Sequence, residues 1–327
     1  MKPLFYKSLS IVIAIFALTA FAWRASAQRF TEKTVPVADF TGIVVSGDFN
    51  VYLSNGPQKV KVGVTKSAFI DYVSVYVRSK VLYVEFKEKD VPKDLKKELK
   101  AKDLVFRVEI SSRDLNDILL KDNAVLESSE ALSISDFKLS LENKAQIKEM
   151  NVRADKASVS LKDKSQAKIG LNVDNKLSLY AEDSAELTAS VTCSNLEVKC
   201  LGSSKLTLDG DVYEEAVLNP DGSSKLTTTI DTETLTLNAT GRSNITLKGA
   251  ATSLVVKGDK NFNAEASELK VPAMEAVMTG GSINVAVQEM DVDLIGGSEV
   301  TYSGDPKIVV RRVVKSTLAP VTADKKK

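Results

Sequence analysis

Apolar and polar positions alternate between Leu177 and Ile245 in one pattern that comes round four times. It reads Leu177-x-Leu179-x-Ala181-x-Asp183-Ser184-Ala185-Glu186-Leu187, then Leu196-x-Val198-x-Cys200-x-Gly202-Ser203-Ser204-Lys205-Leu206, and returns from Ala216 and from Leu235, at steps of 19, 20 and 19 residues. Strict alternation gives a strand with one buried face, and the Gly or Asp that follows accepts a turn conformation that most residues resist. A repeat of this length is one coil of a solenoid.

The same register runs along most of the chain. With the small residue two places before the last apolar position as anchor, the anchors are Ala124, Ala145, Ser165, Ala185, Ser204, Ser224, Ser243, Phe262, Ser282 and Ser298. Two places earlier stand Asp122, Asn143, Asp163, Asp183, Gly202, Gly222, Gly241, Lys260, Gly280 and Gly296; all but Lys260 are Gly, Asp or Asn, which tolerate a left-handed turn. Lys260 and Phe262 mark one degenerate coil. Helical repeats need more than about 30 residues, and no leucine-rich signature is present, so the period predicts an all-β solenoid of about ten coils stacked at ~4.8 Å.

The flanks read differently. Residues 28–110 carry alternating runs such as Phe49-x-Val51-x-Leu53, Val73-x-Val75-x-Val77 and Leu82-x-Val84-x-Phe86 at irregular steps, which predicts hairpins and opening coils that cap the solenoid of residues 111–314. Lys87 to Lys102 is charged, contains Pro92, and fits either a turn or two of surface helix around Leu95 and Leu99 or a solvated loop. Ile308 to Val314 is expected to add a final strand, and residues 315–327 a basic, disordered tail.

Residues 1–27 carry the marks of an export signal: Lys2 and Lys7, the apolar run Leu9–Ala22, and Ala25-Ser26-Ala27 as a cleavage site before Gln28. No cysteine near that junction points to a lipid anchor, and no transmembrane span is expected once the leader is removed. Without Lys2, Lys7 and Arg24, the 44 basic residues fall two below the 43 acidic ones, so no nucleic-acid footprint is expected. Cys200 shares the parity of Leu196 and Val198 and reads as a buried apolar residue, whereas Cys193 falls in the connection before that strand. An exported compartment permits a disulfide between them, but the strand separating them opposes it.

Catalytic chemistry is hard to assemble from these residues. The chain has no histidine, which excludes Ser-His-Asp and Cys-His pairs. No phosphate-binding or dinucleotide motif occurs, and Gly280-Gly281 and Gly296-Gly297 are accounted for as coil turns. Asp291 and Asp293 flank Val292 on one strand face. They would serve a Ca²⁺ site or a polysaccharide-cleaving centre, but a solvent-facing pair beside inward Met290, Val292 and Leu294 is the simpler reading. Ser203-Ser204 and Ser223-Ser224 read as a hydrogen-bonded turn ladder, since nothing nearby would activate a nucleophile. The outward column after the anchors, Val125, Gln146, Gln166, Glu186, Lys205, Lys225, Asn244, Asn263, Ile283 and Glu299, is mixed in charge and lacks aromatic side chains.

Phe40-Thr41-Gly42-Ile43-Val44-Val45-Ser46-Gly47-Asp48-Phe49-Asn50-Val51-Tyr52-Leu53, the run Leu82–Phe86, the Asp114-Leu115 turn, the Gly-Ser-Ser-x-Leu steps and the close at Tyr302-Ser303-Gly304-Asp305-Pro306 together resemble the auto-transporter adhesin head GIN domain family of exported Bacteroidetes proteins. That resemblance implies a right-handed parallel β-helix and an adhesive or scaffolding role, with no catalytic residues, metal or cofactor. Nothing after Thr301 reads as barrel strands, so self-export is not expected. The expected protein is a non-catalytic envelope component, periplasmic, outer-membrane-associated or on the cell surface. Its expected partner is a glycan or an envelope or surface protein, with self-association left open. A carboxylate-based polysaccharide lyase or hydrolase is the alternative.

Overall fold

The computed structural model describes residues 29–128 and 130–321; the expected leader, residues 1–27, and residues 322–327 of the expected tail lie outside the described residues. The chain is 66% strand and 5% helix and winds into a β-solenoid of about ten turns, as the period predicts. Its centre is six strands, Gln146–Leu161, Gln166–Ala181, Glu186–Cys200, Lys205–Pro220, Lys225–Ala239 and Asn244–Gly258, each paired in parallel with the next.

Each long strand has two legs. In Gln166–Ala181, Ala167, Ile169, Leu171 and Val173 point inward, parity breaks over the exposed Asp174-Asn175-Lys176, and Leu177, Leu179 and Ala181 point inward again. The register to the next coil shifts at the same corner, between Asn172 and Lys176. Stacking carries each inward side chain onto its equivalent one coil on: Leu177, Leu196, Ala216, Leu235 and Leu254 form one column, all 2% exposed or less. One continuous core runs from Phe40 to Val300.

The turn positions behave as the sequence predicts. All ten have positive φ, from 61° at Asp122, Asp163 and Asp183 to 155° at Gly280. The early coils use Asp and Asn, which hydrogen-bond along the turn column: Asn143 donates its side-chain amide to Asp122 Oδ1 (3.2 Å) and its backbone N–H to Asp163 Oδ2 (3.0 Å). Later coils need glycine for space as well, since a Cβ on Gly222 would lie 2.7 Å from the Gly202 carbonyl oxygen. Buried anchor serines close their own turns. Ser165, Ser204, Ser243 and Ser298 each donate to the carbonyl three residues back, at 2.7, 2.7, 2.9 and 2.7 Å.

Several details differ from the sequence reading. The pairing Asn263↔Ser282 puts Gly281, not Ser282, at the anchor place; Ile283 is therefore inward and 1% exposed, and Ser282 takes its place in the outward column. The turn before Ser282 is one residue shorter than the turn before Asn263. Cys193 lies within strand Glu186–Cys200 rather than in a connection; both cysteines are free and buried. Lys315 has φ 51° and turns the chain into strand Thr317–Pro320, which pairs with Glu299–Ser303, so the tail expected from residue 315 begins as one more rung. It is ordered because Leu318 stacks over Val300 and becomes half-buried.

At the N-terminal end, stack order departs from chain order. Gly42–Ser46 lies between Val81–Phe86 and Asp117–Lys121, and Phe49–Ser54 between Phe106–Ser111 and Val125–Ser128. Beyond that coil the end is closed by antiparallel strands: Val73–Arg78 on Val81–Phe86, Lys59–Val64 on Phe106–Ser111, and Thr31–Val35 on Lys59–Val64. Phe49, Phe69, Phe86 and Phe106 form the aromatic centre of this cap, with neighbouring ring centroids 4.7–6.3 Å apart. The charged stretch forms short 3₁₀ segments at Glu88–Asp90 and Leu95–Lys100. Lys66 ties it down, 3.3 Å from Glu98 and 3.4 Å from Asp103. Among the described residues, no helix is long and apolar enough to cross a membrane.

Candidate functional site

Met290, Val292 and Leu294 are buried, which leaves Asp291 and Asp293 on the outer face. Both are already engaged. Arg311 donates Nε–H and Nη2–H to Asp291 Oδ2 at 3.0 and 2.7 Å, and also reaches Glu275 at 3.2 Å. Arg312 grips Asp293 with both arms of its guanidinium, at 2.7 and 2.9 Å. That grip holds the Asp293 carboxyl below the usual carboxylate range. A general acid needs its proton near neutral pH, so this environment works in the opposite direction. Ser204 donates into its own turn, Ser224 is buried, and the exposed Ser203 and Ser223 have no histidine in the chain to activate them. Among the described residues, no group of three or more His, Cys, Asp or Glu side chains could hold a metal ion.

A hollow of about 930 Å³ lies beneath the 3₁₀ segment Leu95–Lys100. Its floor includes Phe86 and Phe106 of the cap's aromatic centre, and its walls carry both signs of charge. We read it as the space left where a charged connection arches over the cap.

A different concavity is built by the repeat itself. In the first leg of the long strands the outer face bends inward, and two adjoining hollows of about 220 and 460 Å³ share Asn151, Gly170, Ser190 and Asp209. These four are cross-coil partners, Asn151↔Gly170↔Ser190↔Asp209, so they form the floor of one trough running along the stack. One bank is the column Lys168, Thr188, Thr207; the other is Arg153, Asn172, Thr192. Glycine permits the bend: at Gly210, with φ 143°, a Cβ would lie 1.8 Å from the Val191 carbonyl oxygen. At Gly170 a Cβ would lie 2.3 Å from Asn151 Oδ1, so the missing side chain makes room for the Asn151 amide on the floor.

The trough thus presents hydroxyl, amide and a few charged groups in register at ~4.8 Å steps. Ser190, Thr188, Thr207 and Asn172 are exposed. The trough's hydroxyl and amide groups suit hydrogen bonding to an extended partner. Little in the residue pattern marks it, because the bend falls inside a continuous strand and is signalled only by Gly170 and Gly210.

Comparison with known proteins supports the reading of the repeat. The family model described as "Putative auto-transporter adhesin, head GIN domain" matches the chain twice, over residues 39–176 and 171–306. Among solved structures, a putative adhesin from Parabacteroides merdae is similar at 16% identity and TM-score 0.39, covering 91% of this chain and 98% of that one. A putative adhesin from Bacteroides fragilis is similar at 16% identity and TM-score 0.29, covering 90% and 98%. A structure from Parabacteroides distasonis titled as a putative lipid binding protein is similar at 13% identity and TM-score 0.29, also covering 90% and 98%. No curated protein matches the chain. The two family matches together take in most of the sequence, and the chain belongs to the auto-transporter adhesin head GIN domain family.

Proposed function

We propose that this protein is an exported, non-catalytic module of the cell envelope or cell surface, with an adhesin-like or scaffolding role, and that it holds an extended glycan in the trough floored by Asn151, Gly170, Ser190 and Asp209. The repetition of the trough is the observation that carries this reading: hydrogen-bonding side chains recur at a fixed step on a rigid surface, as a polymer of repeating polar units requires. Each contact is weak and exposed, so affinity is gained by summing them along the polymer. The ion-paired state of Asp291 and Asp293 disfavours the lyase or hydrolase alternative. Residues 1–27 are read as the export leader, 28–110 as the cap and 111–314 as the binding solenoid.

Calorimetry against neutral and acidic polysaccharides of graded length tests the proposal. Affinity is expected to rise with oligomer length and to fall at least tenfold, about 1.4 kcal/mol, when Ser190→Trp fills the trough. Absence of binding across the panel, or binding indifferent to Ser190→Trp in a folded variant, would overturn the site. Export is tested separately by mass spectrometry of envelope fractions, where Gln28 is the expected N-terminus; intact Met1 in the cytosol would refute it.

A further inference from the structure

The two ends of the solenoid are finished differently. At the N-terminal end, antiparallel strands cover the last coil and Phe69 is fully buried beneath them. The outermost strand there, Thr31–Val35, is polar and mostly exposed. At the C-terminal end, strands Lys307–Val314 and Thr317–Pro320 are paired on one side only among the described residues. Val310 and Val313 stack over the fully buried Val292 and Leu294, in line with the core, yet they are 52% and 38% exposed. Val309 and Val314 stack over the outward Asp291 and Ile295 and are 51% and 49% exposed on the outer face. Among the described residues, the core therefore ends in an open apolar face.

We propose that this face joins the same face of a second copy, tail to tail, in a closed two-fold dimer. Two features favour a like partner. The positive charges on the last strand are drawn back onto preceding coils, Arg311 by Asp291 and Glu275, Arg312 by Asp293, which leaves valine at the end itself. The opposite end of another copy offers polar strands in place of an open core, which disfavours head-to-tail stacking. A self-complementary patch closes at two copies, whereas head-to-tail contacts run on into filaments.

The pairing to the preceding coil shifts between Val292 and Asp293, so the last strand is bulged at Arg311. A bulge spoils an edge as a template for a further ladder, and contact is therefore made by apposed valines and not by one continuous sheet. A contact made chiefly by Val310 and Val313 falls short of the roughly 20–30 residues a side of a standard interface, so the dimer is reversible.

Sedimentation equilibrium of the purified protein from about 1 to about 500 μM is expected to show mass rising from one copy and levelling at two, weak association being typical of small contacts. Val310→Asp with Val313→Asp should stay monomeric with an unchanged melting curve, because both side chains sit at the end of the stack. Both native cysteines are buried, so Val310→Cys supplies an accessible thiol and should give a reducible cross-linked dimer, while Lys33→Cys at the other end should not. Mass fixed at one copy, mass rising past two, a dimer that survives the aspartates, or equal cross-linking through Lys33→Cys would each overturn the proposal.

Discussion

Gly281 lies one coil beyond Phe262, and a Cβ on Gly281 would sit 2.2 Å from Phe262 Cδ1. Gly258 makes room on the same ring, its Cβ falling 2.3 Å from Cε1. Phe262 occupies a place filled by Ala or Ser in most coils and is 1% exposed, so two glycines compensate one oversized residue. Gly281→Ala should lower stability by about 3 kcal/mol, combining overpacking with a positive φ. Phe262→Ser in the same chain should recover most of that loss, a strong departure from additivity measured by urea midpoints of the two single variants and the double. Equal losses with and without Phe262 would show that the ring is not the constraint.

Lys260 holds φ 66° without glycine's freedom. Lys260→Gly should raise stability by about 0.5–1 kcal/mol, the relief of left-handed strain less the entropy glycine loses on folding. An unchanged or lower urea midpoint would contradict this.

Burial pushes the Cys193 thiol up to about 12, and raises Cys200 as well. The folded state keeps these thiols protonated while the unfolded chain ionises them from about pH 9. Their contribution is therefore complete below that point and is lost as pH rises toward 12. Urea midpoints should fall across this window, and less steeply in Cys193→Ala. A thiol reagent should label neither cysteine at neutral pH until the chain unfolds; rapid labelling of the native protein would rule out the buried arrangement.

The Arg312 hydrogen bonds lower the Asp293 pKa, so the stabilisation they provide is present above the unfolded carboxyl value near 4 and is lost as pH falls through the folded value. Hydrogen exchange in Lys307–Val314 should quicken below about pH 4, and Arg312→Gln should abolish that pH dependence. An identical acid response in the variant would assign it to other carboxylates.

The repeat was legible because each coil must satisfy the same local demands: alternation for the buried face, a residue tolerant of positive φ at the turn, and a small anchor beneath it. From Asp122 to Gly296 every turn position takes the positive φ, and all but Lys260 are residues that tolerate it. What escaped depends on relations between coils. Ser282 looked like an anchor on spacing alone, but the turn after Phe262 shortens by one residue. Asp291 with Arg311 and Asp293 with Arg312 lie one period apart, yet the arginines fall in a segment whose repeat had faded. The out-of-order stacking of the cap, with Val81–Phe86 outside Gly42–Ser46, carries no local signature at all. The trough depends on a bend in strand backbone that alternation does not encode.

Closure at one end only also gives the molecule a mechanical direction. Each coil past the cap is held chiefly by its two neighbours, and the last coil by one, so a pull on the C-terminus loads a single rung at a time. Extension should then proceed as a train of small steps, each releasing a coil of 19–20 residues and lengthening the tether by roughly 65–70 Å before the next rung takes the load. The antiparallel strands around Phe69 would yield last. A solenoid built this way gives ground gradually under load and shortens again when the load is removed.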